Sequence, residues 1–110
     1  MVLVVGGSYQ GKTDYASENF SNANCLNHLH LFIKERLEAG KIQQEILEEI
    51  RAIVTDGDWV IISDEIGNGV VPQQEFDRQW REVTGRILIS LAKEATEVYK
   101  VVCGIAVKVK

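Results

Sequence analysis

Val2-Leu3-Val4-Val5-Gly6-Gly7-Ser8-Tyr9-Gln10-Gly11-Lys12-Thr13 carries an apolar stretch straight into G-x-x-x-x-G-K-T, and this junction decides the fold. Apolar at every position, Val2 to Val5 reads as a fully buried central strand of a parallel sheet. Gly6 and Gly11 let the backbone bend closely enough for its N–H groups to surround phosphate oxygens. Lys12 is placed to reach the β- and γ-phosphates, and the Thr13 hydroxyl to hold Mg²⁺. A helix over 13–20 adds the positive end of its dipole to the same site. The expected nucleotide-binding set is therefore Gly6, Gly7, Ser8, Tyr9, Gln10, Gly11, Lys12 and Thr13, with ATP or GTP and Mg²⁺ as ligands. A flexible glycine-rich turn without a ligand is the alternative.

A chain of 110 residues with 45% hydrophobic content has room for one domain, read here as a single P-loop nucleotide-binding domain over 1–110. It is short for a parallel sheet covered on both faces, so a minimal sheet or a homo-oligomer is expected. The net charge of −4 argues against nucleic acid or an anionic membrane as partner. Lys100, Lys108 and Lys110 read as a solvated chain end rather than a basic patch. Cys25 and Cys103 are too few and too far apart for a disulfide framework or a zinc site, and Cys103 is expected as a small buried residue of an apolar strand. With Met1 opening directly into a strand and no apolar run of spanning length, a cytoplasmic location is expected.

Turn residues at 21–24 end the first helix. Apolar residues at 26, 29, 32, 33 and 37 then predict a helix closed by Gly40, and Ile42, Ile46, Ile50, Ile53 and Val54 predict another, closed by Asp56-Gly57. Trp59 to Ile62 reads as a second strand, followed by the loop Gly67-Asn68-Gly69 and by Pro72 ahead of a long helix. Phe76, Trp80, Val83, Ile87, Leu91, Ala95 and Val98 form its apolar face. Residues 99–103 and 105–109 read as two strands meeting at Gly104, as a hairpin or one bulged strand. The order β-α-α-α-β-α-β-β predicts an α/β fold, a P-loop NTPase-like (RecA-like) sandwich with a small, mostly parallel sheet and a C-terminal β-hairpin.

A P-loop needs an acidic partner for the metal shell, at the end of a neighbouring apolar strand. Asp64 and Glu65 stand where the strand from Trp59 should stop; either suits the metal, and the other suits orienting or deprotonating an attacking hydroxyl. Together with Lys12 they are the expected catalytic residues, with Thr13 and Asp64 as metal ligands. Gly67 and Gly69 suit close approach to a ligand and equally a plain turn. His30 falls near the buried helix face and reads as a satisfied core histidine, His28 as exposed; their i, i+2 spacing does not suit shared metal binding. Arg81 and Arg86 read as helix-surface charges.

Taken together, the chain resembles the adenosylcobinamide kinase/adenosylcobinamide-phosphate guanylyltransferase family of cobalamin biosynthesis. Residues 4–13 are similar to the family's V-T-G-G-x-x-S-G-K-S, and Asp64-Glu65-Ile66-Gly67-Asn68-Gly69-Val70-Val71-Pro72 to its N-E-V-G-x-G-I-V-P. Trp80 to Arg86 is similar to F-R-D-x-x-G-R, and residues 97–108 to the closing D-E-V-W-x-V-V-x-G-I-x-x-K. Between 14 and 57 the chain departs: the family's H-H-K-x-x-R-P, whose histidine accepts GMP, has no counterpart. Cys25-Leu26-Asn27 is similar to part of L-L-E-C-L-T, without its acidic residue or the strand before it.

The resemblance implies a kinase that passes the γ-phosphoryl group of ATP or GTP to adenosylcobinamide, and a homo-oligomer; the departure between 14 and 57 argues against guanylyl transfer. A rival reading is a nucleotide- or corrinoid-binding module without catalysis. A third keeps guanylyl transfer, with His28 or His30 as nucleophile.

Overall fold

Period-2 alternation sorts the apolar strand residues onto two faces of one sheet, and helices cover both. The computed structural model describes residues 1–66 and 74–110. In chain order the elements are β1 (Val2–Gly6), α1 (Lys12–Asn19), β2 (Asn24–Leu26), α2 (Leu29–Glu38), α3 (Gln43–Ile53), β3 (Trp59–Asp64), α4 (Glu75–Glu94), β4 (Glu97–Val102) and β5 (Ile105–Lys108). Strand order is β2-β3-β1-β4-β5; β5 alone runs antiparallel, as the expected C-terminal hairpin. Leu3, Ile61 and Val98 face one apolar layer with Ile33, Ile50, Ile87 and Leu91 of α2, α3 and α4. Val4, Val60, Ile62 and Val101 face the other, against Ala16 of α1. There the rings of Tyr15, Phe20 and Tyr99 pack with centroids 5.5 to 6.1 Å apart. The architecture is α/β and P-loop NTPase-like, with a mostly parallel sheet.

Gly40 closes α2 as its sequence position predicts. Its φ is +85°, its N–H donates to the Leu37 carbonyl, and the Lys41 N–H reaches back to Arg36. Those two bonds satisfy helix-end carbonyls that would otherwise lack partners.

Four expectations need correction. The segment 24–26 is a strand and not the lead-in to a helix; at 3 residues it shows no readable alternation, and pairing with Trp59, Val60 and Ile61 is what makes it one. Consequently β3 is the third strand in the chain. The long helix stops at Glu94, and Val98 belongs to β4: the Thr96 N–H and hydroxyl both donate to the Met1 carbonyl, at 2.9 and 3.1 Å, and draw the chain in beside β1. Cys103 is exposed, at φ +50° in the β4–β5 turn. Within β1, Leu3 and Val4 are buried while Val2 and Val5 are only half-buried. The loop Gly67-Asn68-Gly69 and Pro72 lie outside the described residues.

Gly6 ends β1 where a Cβ would stand 2.5 Å from the Val101 carbonyl oxygen, backbone against backbone. Gly6→Ala is expected to destabilise the fold by roughly 1–3 kcal/mol through this overpacking. Urea unfolding followed by circular dichroism checks it; an unchanged midpoint would refute the close-approach role.

Candidate functional site

Strand order reverses around β1: the chain leaves it for β2 on one side and later reaches β4 on the other. In such sheets the crevice beyond the carboxyl ends of the strands is where ligands bind. Here β1 and β3 end side by side, with Gly6 opposite Asp64. Gly6 opens the glycine-rich loop and α1 follows directly after Gly11, itself at φ +89°. A cavity of about 370 Å³ lies over this junction, walled by the loop, the end of β3 and the β2–α2 turn.

Lys12 is 7% exposed, and a lysine that buried needs its charge met. Its Nζ donates to the Gly7 carbonyl at 2.5 Å and lies 2.7 Å from Asp64 Oδ1. The Ser8 hydroxyl donates to Asp64 Oδ2 at 2.8 Å, so both carboxylate oxygens face the loop. The loop's far side is braced by the β4–β5 turn. There the Cys103 N–H donates to Gln10 Oε1 at 2.7 Å and the Gly104 N–H to the Gln10 carbonyl at 2.8 Å. Tyr9, at φ +57°, is wholly exposed at the loop tip. The Thr13 hydroxyl accepts from Asn27 Nδ2 at 3.3 Å.

His30 is buried, as its helix position predicts, and is turned onto Asp64. Its Nδ1 accepts the Asp64 N–H at 3.1 Å, and Nε2 lies 3.4 Å from Asp64 Oδ2. An Nδ1 that accepts must be unprotonated, so the neutral ring carries its hydrogen on Nε2. Burial lowers the His30 pKa below its ordinary value; nearby Asp64 opposes this, while His28 and Lys12 add to it. At Asp64 burial pushes upward, but hydrogen bonds from Lys12 and Ser8 and the charges of His30 and Lys12 outweigh it, leaving the carboxyl below the usual range.

The loop residues Ser8, Lys12 and Thr13 thus meet Asp64, Asn27 and His28 around one cavity. Glu65 instead faces Lys100, with its carboxylate 3.4 Å from that ammonium, and its N–H donates to the Gly6 carbonyl. His28 is exposed at the cavity wall, its ring centroid 5.9 Å from that of His30. Arg86 pairs with Glu82 on the surface of α4, where Arg81 is half-buried. Lys108 pairs with Glu97, and Lys110 donates to the Ala92 and Lys93 carbonyls at the end of α4. Among the described residues no group of three or more His, Cys, Asp or Glu is arranged to hold a metal ion. A hydroxyl and a single carboxylate beside phosphate oxygens are, however, the hard-oxygen donor set that Mg²⁺ takes. Sequence reasoning missed Asn27 and the Cys103-Gly104 brace; the similarity around Cys25-Leu26-Asn27 was the available signal for the first, and nothing local marked the second.

An α/β protein with a glycine-rich loop and lysine at the carboxyl edge of a parallel sheet is the class these features define. The sequence model described as cobinamide kinase / cobinamide phosphate guanyltransferase (CobU) matches residues 21–109, and the chain belongs to that family. β1 and the glycine-rich loop precede the matched stretch. The chain is 35% identical over 74 residues to the bifunctional adenosylcobalamin biosynthesis protein CobU of Escherichia coli, covering 63% of this chain and 41% of that protein. With the protein of the same name from Salmonella typhimurium it is 32% identical over 81 residues, 69% of this chain and 45% of the other. The chain therefore spans less than half the length of these curated relatives. No helix among the described residues is long and apolar enough to cross a membrane.

Both shifts carry the same sign for stability. With pKa values lower in the folded chain, the unfolded chain binds more protons, so stability rises with pH. The His30 contribution is complete above its unfolded value of 6.5 and is lost as pH falls through the lower folded value. That of Asp64 is complete above 3.8 and is lost below it. Melting temperature is expected to fall on acidification below pH 6.5, and His30→Gln to flatten that upper limb alone. Parallel wild-type and variant curves from pH 7.5 to 5 would refute the assignment.

Proposed function

We propose that this chain is a P-loop nucleotide-binding domain that acts as a kinase, passing the γ-phosphoryl group of ATP or GTP to the hydroxyl of adenosylcobinamide. The observation that carries the proposal is Lys12, held by the Gly7 carbonyl and Asp64 at the start of the helix that follows the glycine-rich loop. Phosphate oxygens entering beside the loop amides would compete with Asp64 for this ammonium. Charge spread over the transferring group would then meet Lys12, the backbone N–H groups and the N-terminus of α1. In the transfer the acceptor hydroxyl oxygen bonds to the γ-phosphorus, the bond to the β–γ bridging oxygen breaks, and the nucleoside diphosphate leaves. With Asp64 assigned to the metal, the hydroxyl proton passes to an oxygen of the transferred phosphoryl group. Thr13 and Asp64 would hold Mg²⁺, which when bound neutralises charge on the phosphates. The corrinoid acceptor comes from family membership, and the residues themselves support phosphate chemistry.

A second reading, binding without transfer, is supported by residues 14–57, where the family's histidine motif has no counterpart. Self-association belongs to either reading, since the β4–β5 hairpin and the residue after it leave Val102, Ile105, Val107 and Val109 exposed. A single monomeric species in sedimentation velocity at micromolar concentration would remove it.

Mass spectrometry of adenosylcobinamide incubated with the protein, Mg²⁺ and ATP or GTP tests the kinase. One added phosphate is expected, and Lys12→Ala is expected to reduce its formation at least about a hundredfold, the scale of losing a transition-state charge partner. An unchanged corrinoid with nucleotide still bound would select the binding module. Addition of GMP would restore guanylyl transfer.

A further inference from the structure

Strand β2 stops at Leu26, opposite Ile61, whereas β3 runs on through Ile62 and Ser63 to Asp64. On the β1 side the ladder continues, and the Glu65 N–H reaches the Gly6 carbonyl. Successive N–H groups of a strand point to opposite sides, so the Asp64 N–H points to the side that β2 has already left. A donor there needs another acceptor, and His30 Nδ1 supplies it at 3.1 Å. The imidazole takes the position that a longer β2 would have filled.

His28 makes this possible. At φ +55°, a conformation uncommon for a residue with a side chain, it turns the chain sharply from β2 into α2. The turn brings Asn27 and His30 to the same cavity. Asn27 Oδ1 accepts the His28 N–H at 2.8 Å, which leaves its Nδ2 pointing at the Thr13 hydroxyl. His30 is held in turn by α4, where Trp80 Nε1 donates to its carbonyl at 2.7 Å. One short turn therefore touches both oxygen groups that would hold Mg²⁺: Thr13 through Asn27, and Asp64 through His30.

We infer that Asn27 and His30 are positioning residues that aim the Thr13 hydroxyl and the Asp64 carboxylate for a magnesium-bound nucleotide. The inference rests on the nucleotide-binding reading above. Residues that orient metal ligands typically contribute about 10- to 100-fold to metal affinity. Their effect should therefore fall on metal-assisted binding and not on the phosphate contacts of the loop.

The test is calorimetric titration of the full chain with ATP and with GTP, each once with Mg²⁺ and once with EDTA. What is expected for ATP holds equally for GTP if GTP is the nucleotide bound. His30→Ala is expected to weaken Mg-ATP binding about tenfold or more and to leave metal-free ATP nearly unchanged. Asn27→Ala is expected to act in the same direction. His30→Asn keeps an acceptor near the position of Nδ1 and should recover most of the affinity, which also covers failure of the alanine variant to fold. The Asp64 amide, followed by NMR hydrogen exchange without nucleotide, should be protected in wild type and His30→Asn and unprotected in His30→Ala. Equal weakening with and without Mg²⁺, or no weakening in either variant, would overturn the inference. Failure of wild type to bind either ATP or GTP would overturn the nucleotide reading and this role with it, while amide protection would still report whether the bond itself exists.

Discussion

The ion pair between buried Lys12 and half-buried Asp64 ties the glycine-rich loop to the rest of the sheet. A lysine almost removed from water is tolerated only where its charge is met, and here that requires β1 and β3 to be neighbours in one register. The register sets Gly6 opposite Asp64, so the loop leaving one strand meets the carboxylate ending the other. The two apolar layers enforce it, because slipping either strand by one residue would move Leu3, Ile61 and their neighbours to the wrong face.

Support for the loop comes from two places far apart in the chain. On one side, Cys103 and Gly104 of the hairpin turn donate to Gln10, and a Cβ on Gly11 would stand 3.2 Å from the Gly104 Cα. On the other, Asn27 and His30 reach Thr13 and Asp64 from the β2–α2 turn. The loop is thus held from both edges of the sheet, which favours a shape set before a ligand arrives over one moulded by it. Family membership agrees with chemistry on phosphates, although the chain covers less than half of its bifunctional relatives.

Much of this was legible in the residues. Helical spacing located α2 and α3, and Gly40 marked the end of α2 through its positive φ. The adjacent Asp64 and Glu65 marked the end of β3. Choosing between them was another matter: the carboxylates are consecutive in the chain, and the pleat points one to Lys12 and the other to Lys100. The missed strand β2 has a different cause. Three residues hold no measurable period, and the strand exists because β3 offers it an edge. The run Leu91, Ala95, Val98 misled for the opposite reason, since helical spacing continued by chance past the point where Thr96 binds Met1 and the chain turns into β4.

By itself the sequence determined the class of fold, the glycine-rich loop and its lysine, and the acidic end of the neighbouring strand. Each of these is written in local spacing: an apolar run, two glycines a fixed distance apart, a strand that stops at carboxylates. Tertiary structure alone decided that Asp64 meets Lys12, that His30 completes the ladder β2 abandons, and that a hairpin turn braces Gln10. Those contacts join residues 34 to 93 positions apart, so no periodicity along the chain encodes them. They follow from strand order and register, which the two buried faces select together.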